Sequence, residues 1–369
     1  MMKTALKYLE QVIDIRQKKK VRHLMKDIIA LEFFAMLSGA DEWVAYEIFG
    51  KEHEEFLRGY LELPYGIPSH DTLQRVFAII PPEHLQGFQV AWNEMLHTDE
   101  GEKIKKILAI DGKSQRGNGN KNQKANHIVT AVDENGLSIG EKLVQGKSKE
   151  ITAIPELLEE LSVKGHIITT DAMGSQKDIA KLIRQKRGDY VLALKGNHPE
   201  LHESVQDYFE NPELLSTCAY KSTKEKARGG LEKREYWQTD DIGWLPNKKE
   251  WVGLKSIAMT KNTIVKDNKE TVDTRYFINS LPLDVDGVAR AIRGHWMVES
   301  CHWHLDMTFK EDGSHTLEKQ AAYNQNILRK LALNVLKVFN IGKKKLSVRM
   351  KRFSIGTNPE KHLEALLGE

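Results

Sequence analysis

Apolar and polar positions divide the chain into two textures. Up to about residue 97 the apolar residues recur at helical spacing, as in Ile28, Ala30, Leu31, Phe34 and Leu37, with turn signals at Gly39 and Gly66. Ser69 is placed to cap a following helix whose apolar side carries Leu73, Val76 and Phe77. That helix suits either an ordinary helical hairpin or the second helix of a helix-turn-helix unit. Beyond a charged linker, 97–106, strands take over. Ile107-Leu-Ala-Ile110 runs without alternation into Asp111 and Gly112. A buried helix would fit the periodicity as well, but the glycine favours a strand covered on both faces. Runs at 127–132 and 137–144 flank Asp133-Glu-Asn-Gly136, which predicts a hairpin with a tight primed turn. A helix at 150–161, a strand at 167–171, a helix at 174–187 and a strand at 189–194 complete a mixed α/β sheet. From 195 to 283 strand-like runs dominate, which predicts a largely β insertion. Helical texture returns at 284–309 and 324–340, and the basic tail, 341–369, is expected to be loosely ordered.

Composition narrows the class. The chain has 369 residues, 40% apolar and 29% charged, as expected of a folded protein with a sizeable core. Cys218 and Cys301 form no CxxC pair, so neither a disulfide framework nor a cysteine-rich zinc site is supported, and a reducing, cytoplasmic setting is the expectation. The first twenty residues read as an amphipathic, charged segment and not a secretory signal. The apolar segment 27–40 contains Glu32 and is too short to span a bilayer. Net charge is only +3, but basic residues cluster at Arg16, Lys18, Lys19, Lys20, Arg22 and Lys26, and again at Lys343, Lys344, Lys345, Arg349, Lys351 and Arg352. Such clusters supply phosphate attraction or simply coat a solvated helix face.

The chemistry centres on acids in apolar company. Asp111 and Asp171 each end a buried strand. Carboxylates brought together at one sheet edge repel unless a proton or a cation intervenes, and oxygen ligands of this kind suit Mg²⁺ or Mn²⁺. A third acid lies in the helix around 293–309. At about 100° per residue, Trp296, Trp303 and Met307 form one apolar stripe and Val298, Leu305 and Phe309 a second. Between them runs a polar stripe of His295, Glu299, His302 and Asp306, with Glu299 at its centre. Two aspartates and a glutamate can hold two divalent ions roughly 4 Å apart for in-line phosphoryl transfer, with His295, His302 and Asp306 in support and no further cofactor. Both tryptophans read chiefly as core residues. The histidines lack an HExxH arrangement for zinc, and Gly112-Lys-Ser114 lacks the upstream glycine of a P-loop, position 107 being isoleucine. Lys113, Arg116, Lys195, Arg293 and Lys310 are the basic candidates for DNA-backbone contact. Asn197 belongs to a turn near the site's edge.

Several ordered motifs carry a resemblance over nearly the whole chain. They are Gly66-Ile-Pro-Ser-His-Asp-Thr72, Ala109-Ile-Asp-Gly-Lys113, Thr170-Asp-Ala-Met-Gly-Ser-Gln176, Leu194-Lys-Gly-Asn197, Arg293-Gly-His-Trp296, and His302-Trp-His-Leu-Asp306 with Phe309-Lys-Glu-Asp312. Together they resemble the DDE transposases of insertion sequences, most closely the ISAs1 group with its H-repeat-associated proteins. The resemblance implies an α/β fold with an RNase H-like catalytic domain at 98–340 and a β-rich insertion at about 195–283. An all-helical, DNA-binding N-terminal domain at 1–97 would precede it and the basic tail follow it. It also implies that Asp111, Asp171 and Glu299 form the catalytic, metal-holding triad. The tyrosine, arginine and lysine signature of the related IS4 group is absent, its positions being Ile292, His295 and Asp306. The implied activity is cleavage at transposon ends with two Mg²⁺ or Mn²⁺ ions and 3′-hydroxyl transfer into target DNA. A homodimer would act on terminal repeats and target DNA in the bacterial cytoplasm, nucleoid-associated when bound, with no membrane partner. Rival readings are a nuclease of the same fold that cuts without joining and an inactive DNA-binding regulator. The transposase reading requires the three carboxylates to converge in space.

Overall fold

The run at 107–110 becomes the centre of strand β1 (Lys106–Ser114) in the computed structural model, which describes residues 6–96, 106–144, 150–227, 230–267 and 269–368. Ile107 to Ile110 are all buried, consistent with a strand covered on both faces. Hairpin β2 (His127–Asp133) and β3 (Ser138–Leu143) pairs antiparallel to one side of β1, and β4 (His166–Thr170) and β5 (Asp189–Leu194) lie parallel on the other. The hairpin turn differs in type from the primed turn expected. Gly136 has φ +78° and Asn135 is not left-handed, whereas a primed type I turn needs both residues there. Gly136 N–H donates to the Asp133 carbonyl, so a tight turn followed by a left-handed glycine closes the hairpin.

Odd and even positions of β1 meet different layers. Leu108 and Ile110 pack with α5 (Glu150–Glu160) and α6 (Lys177–Gln185), through Ile154, Leu157 and Ile183. Ile107 packs with α8 (Val285–Gly294), and Ala109 with α9 (Trp296–Met307) and α10 (Lys319–Val338), whose ranges follow the observed breaks in the chain. The predicted single helix over 284–309 is thus two, joined at His295. Gly294 lies against Ile107, where an added Cβ would come within 3.1 Å of that side chain.

The β-rich segment is not a separate sheet. Its first part is helical, at α7 (Pro199–Glu210) and Pro212–Thr217, before β6 (Ala219–Ala227), β7 (Gly230–Thr239), β8 (Ser256–Lys266) and β9 (Lys269–Asn279). Strand β9 pairs antiparallel with β5, giving one nine-stranded sheet of order β3-β2-β1-β4-β5-β9-β8-β7-β6. Three β strands, a helix, then parallel β4 and β5 with helices on both faces define an RNase H-like fold extended by the β6–β9 meander.

At the other end, α1 (Met25–Leu37), α2 (Trp43–Glu52), α3 (His70–Phe77) and α4 (Pro82–Leu96) share a core with α10 and the sheet. Ser69 occupies the expected N-cap position, but the first free amide, that of His70, is taken by Glu47 Oε2 at 2.7 Å. Helix α10 is buried along almost its whole length, and several of its polar side chains bond loops and strand ends, whereas Asn324 Oδ1, Gln325 Nε2, Asn326 Oδ1 and Arg329 Nε have no partner. Asn324 bonds the carbonyls of Phe77 and Ile80, Asn334 that of Ser138, and Lys330 Nζ lies 2.7 Å from Thr130 Oγ1 and 3.3 Å from Glu141 Oε2. Both cysteines are free thiols, and no helix among the described residues is long and apolar enough to cross a membrane.

The expected loose tail is instead two packed helices, α11 (Val348–Thr357) and α12 (Pro359–Gly368), with Ile355, Leu363, Leu366 and Leu367 buried. Lys343, Lys344, Lys345 and Arg349 are exposed as a basic cluster should be, but Lys351 and Arg352 are buried. Arg352 reaches the Met36 and Ala40 carbonyls at 2.8 Å each, the Asp41 carboxylate at 2.6 Å, and the Thr308 carbonyl, with its guanidinium over the Phe309 ring. Removing that guanidinium would orphan several buried acceptors at once, each worth about 1–3 kcal/mol. Arg352→Ala is therefore expected to lower unfolding stability by at least about 2–4 kcal/mol, read from the urea midpoint. Arg352→Lys should recover little of it, because an ammonium cannot reproduce the planar fork.

Candidate metal centre

The register of two parallel strands creates the site. Lys106 of β1 lies opposite His166 of β4, and each later pair follows in step to Ile110 opposite Thr170. The next residues in that register are Asp111 and Asp171. Paired residues of parallel neighbours project to the same side from strands roughly 4.8 Å apart, so the two carboxylates are neighbours by construction. Asp171 sits where β4 stops, its Oδ1 accepting from Gly174 N–H at 3.1 Å. The turn after β5 braces this loop. Asn197 donates to the Ala172 carbonyl at 2.6 Å and Ser175 Oγ to the Ala193 carbonyl at 2.6 Å, a structural role for the turn residue.

A third carboxylate joins them that the sequence reading treated only as the start of a helix. Ligand atoms of Asp111, Glu150 and Asp171 all lie within 4.8 Å of one another. Glu150 opens α5, so it approaches from the layer that packs on Leu108 and Ile110. Gly112 makes room for it: a Cβ there would fall 2.3 Å from Glu150 Oε1 and 2.6 Å from His127 Nε2. His127 Nε2 lies 2.6 Å from Glu150 Oε1, and its Nδ1 lies 2.9 Å from Ser114 Oγ. Each residue of Asp111-Gly-Lys113 thus meets an acid or is one. The missed signal was Gly112 itself, a side-chain-free position beside an acid inside a strand.

Glu299 arrives from the opposite layer. It lines, with Asp111 and Asp171, a cavity of about 450 Å³ that runs on between the sheet edge and β7–β9. The whole polar stripe of α9 turns toward the β1–β4 edge. His295 Nδ1 lies 3.0 Å from Thr169 Oγ1, His302 Nδ1 3.6 Å from Asp111 Oδ2, and Asp306 Oδ1 2.7 Å from Lys113 Nζ. Val298, Leu305 and Phe309 are fully buried as expected. The other apolar stripe is not core. Trp296, Trp303 and Met307 are 40%, 53% and 62% exposed, and Arg275 lies 5.7 Å over the Trp296 ring at the cavity wall. Helical periodicity places residues on a face but cannot tell which apolar face meets the sheet.

Electrostatics follow from this crowding. Burial, then the Asp171 charge, and more weakly Glu150 and Glu299, push the Asp111 carboxyl up to about 7, against a bond from the Gly112 amide. Burial also raises Asp171, with Glu150 adding to the effect while Gly174 N–H opposes it. Glu299 is raised by burial and partly relieved by Arg275 and Lys195. His295 is depressed to about 4 by burial and Arg275, and His302 to about 3 by burial, Lys330 and Lys113. Both imidazoles are therefore neutral at pH 7 and stand by the carboxylates as polar groups, not cations.

The basic candidates separate into two kinds. Lys113 is not free for a phosphate: its ammonium lies 2.7 Å from Asp306, 3.2 Å from Glu311 and 3.1 Å from Asp312. Burial alone would depress it, and these acids outweigh burial and raise it. This gives the Phe309-Lys-Glu-Asp312 motif a structural task, gripping the strand that carries Asp111. Arg116, whose side chain is 84% exposed, reaches Asp312 only at 3.8 Å. The loop behind it is pinned by Gln115, Asn118 and Asn126 to the 311–322 segment. Lys195 and Arg293 are exposed and line the cavity together with Arg234 and Arg275, the last two unforeseen because they come from the insertion. Lys310 is exposed and 3.7 Å from Asp41, and it is not among the residues lining the cavity.

The donor set fits a hard divalent cation. Oxygen ligands converge, burial and then the Asp171 charge push one of them, Asp111, up to about 7, and two buried atoms beside them, Thr170 Oγ1 and His302 Nε2, lack any hydrogen-bond partner. An RNase H-like sheet with acids at the ends of its first and fourth strands defines the DDE class of nucleic-acid-processing proteins. Accordingly, residues 102–335 match the family described as "Transposase DDE domain" and residues 6–93 that described as "DDE_Tnp_1-associated". The chain belongs to this DDE transposase family. It is 39% identical to the "Putative transposase YncI" of Escherichia coli O157:H7 over 90% of this chain and 87% of that one. It is 36% identical to the "H repeat-associated putative transposase YhhI" of Escherichia coli K12 over 97% and 96% respectively. Family membership implies divalent metal use and DNA binding.

One consequence can be measured without DNA. The folded-state pKa of Asp111, about 7, exceeds the ordinary carboxylate value near ~4. Stability tied to its proton is thus complete below ~4 and lost as pH rises through about 7. Under chelation at pH 8, Asp111→Asn is expected to raise Tm by about 2–4 °C or more, the size of a ~1 kcal/mol change in a large domain. At pH 5 the gain should shrink, and thermal unfolding at the two pH values checks this.

Proposed function

We propose that this protein is an active DNA transposase that cleaves strands at transposon ends and transfers the freed 3′-hydroxyl to target DNA, with Asp111, Asp171 and Glu299 as its catalytic carboxylates. The observation that carries the reading is Asp111 and Asp171 in register at the sheet edge, with Glu299 on the wall of the same basic cavity. Two bound Mg²⁺ or Mn²⁺ ions would supply charge neutralisation at the attacking and leaving oxygens. The chain's own residues do the rest. Arg275, Lys195, Arg293 and Arg234 would hold phosphates along the cavity, and neutral His302 stands 3.6 Å from the Asp111 carboxylate as a supporting polar neighbour. The exposed Trp296 on the wall of this channel offers a face for an unpaired base near a cut. The helical region up to residue 97 and the exposed lysines at 18–20 and 343–345 would bind duplex outside the cavity. A homodimer holding two transposon ends, working in the bacterial cytoplasm on the nucleoid, completes the reading.

Asp111→Asn, Asp171→Asn and Glu299→Gln are each expected to lower Mg²⁺-dependent cleavage of a terminal-repeat duplex by about 10³-fold or more while leaving its gel shift intact. Undiminished cleavage by one variant removes that residue from the catalytic set. A pre-cleaved end supplied with a target plasmid should yield joined product, and its absence alongside normal cutting would make the protein a nuclease. Arg293→Ala should weaken DNA binding across sequences and reduce the slope of log affinity against log salt by about 1.

A further inference from the structure

Glu150 is the acid that the aspartate pair meets most closely, yet it lies outside the carboxylate set assigned above. The structure holds it with care. Helix α5 begins at Glu150, so its backbone is fixed by packing of Ala153, Ile154 and Leu157 on the sheet. Gly112 gives up its side chain to the space that the Glu150 carboxylate and the His127 ring occupy. In the tautomer with hydrogen on Nε2, His127 donates to Glu150 Oε1 at 2.6 Å and accepts from Ser114 Oγ at 2.9 Å. Ser114 and His127 are themselves partners in the β1–β2 ladder, so the relay rests on strand register. A carboxylate oriented by an imidazole that is oriented in turn by a hydroxyl is how proteins fix the outer support of a metal ligand.

Glu150 and Glu299 belong to opposite faces of the sheet. Glu150 comes from the layer over Leu108 and Ile110, and Glu299 from α9, which packs on the Ala109 side. Asp111 and Asp171 stand between them at the edge. Near them, Thr170 Oγ1 is buried without a hydrogen-bond partner on a residue only 2% exposed that lines the same cavity. Such an atom is costly to leave bare and suits an outer contact to a hydrated ion.

Resting on the metal-dependent reading above, we infer that Glu150 is a fourth metal-binding carboxylate: with Asp111 and Asp171 it holds one divalent ion before DNA arrives and independently of Glu299. His127 is its positioning residue. Glu299 then serves the second ion, on the face open to the basic cavity. Glu150 and Glu299 would thus support metal binding from opposite layers of the sheet, with different requirements for DNA.

The test is Mn²⁺ binding to the full chain without DNA, by titration calorimetry and by the loss of free-ion EPR signal. The wild-type protein should bind one ion tightly. Glu299→Gln should retain that ion with Kd changed less than about 3-fold. Glu150→Gln should raise its Kd by about 10-fold or more, and His127→Gln by a smaller factor in the same direction, since supporting groups typically contribute 10–100-fold. Circular dichroism and Tm confirm that each variant folds. Should a substitution at 150 unfold the chain, Gly112→Ala offers the second route, because its methyl displaces the Glu150 carboxylate and should weaken the same ion. The inference is overturned if Glu150→Gln binds Mn²⁺ like wild type, if Glu299→Gln abolishes the ion, or if wild type binds none until DNA is added. Asp111→Asn separates the two ideas. Binding lost with Asp111→Asn but kept with Glu150→Gln sinks the role of Glu150 alone, whereas binding indifferent to both removes the metal-centre reading itself.

Discussion

Two like charges held in register are the constraint to which the rest of this molecule answers. The parallel pairing of β1 and β4 advances residue by residue to Ile110 and Thr170, and the next step sets Asp111 beside Asp171. The backbone positions of both acids are set by that pairing. Burial raises both carboxyls, with the Asp171 charge adding to the rise of Asp111 and the Glu150 charge to that of Asp171. The surroundings then limit what can approach. Lys113, the nearest ammonium in sequence, is drawn off by Asp306, Glu311 and Asp312, and burial, helped by Lys330 and Lys113, keeps His302 neutral. Among the described residues no lysine or arginine forms an ion pair with either aspartate, and Lys195 only partly offsets the Asp171 charge, which suits the pair to an external cation. The metal-free state carries that cost in stability, a common trade at functional sites.

The two layers over the sheet serve this edge differently. On one side α5 and α6 are conventional cover, and the acid at the start of α5 reaches the edge only because residue 112 has no side chain. On the other, α9 turns a complete polar stripe to the strands, each member meeting a different group: Thr169, the cavity, Asp111 and Lys113. The β6–β9 meander adds Arg234 and Arg275 to the cavity from strands far along the sheet. Strand β9 pairs with β5 from Tyr276 to Asn279, and Arg275 and Arg234 follow on the β8–β9 and β7–β8 ladders, opposite Thr260 and Asn262.

Much of this was legible in the chain. Apolar runs that end in an acid marked both strand-end aspartates, and 100° periodicity isolated the polar stripe with Glu299 at its middle. The order of strands and helices also carried the α/β class. What escaped has physical reasons. Acid at a helix start is so common, because the helix dipole favours it, that Glu150 carried no signal of its own. Periodicity gave α9 two apolar stripes but not their fates, and Trp296, Trp303 and Met307 proved exposed. Lys113 looked available because its three partners lie nearly two hundred residues away. The tail looked loose because lysine and arginine dominate its composition, while the few leucines that anchor it are spaced along the far helix.

Arg352 gives this architecture an order in time. Its guanidinium ties carbonyls from the end of α1 to the Thr308 carbonyl just past α9, the helix that carries Glu299. During synthesis, β1, β4 and α9 all leave the ribosome before residue 352 does. The carboxylates can therefore be made, and even paired, while the helix behind Glu299 still lacks its last anchor. A nascent chain that stops short of residue 352 therefore holds the parts of the site without this anchor behind Glu299.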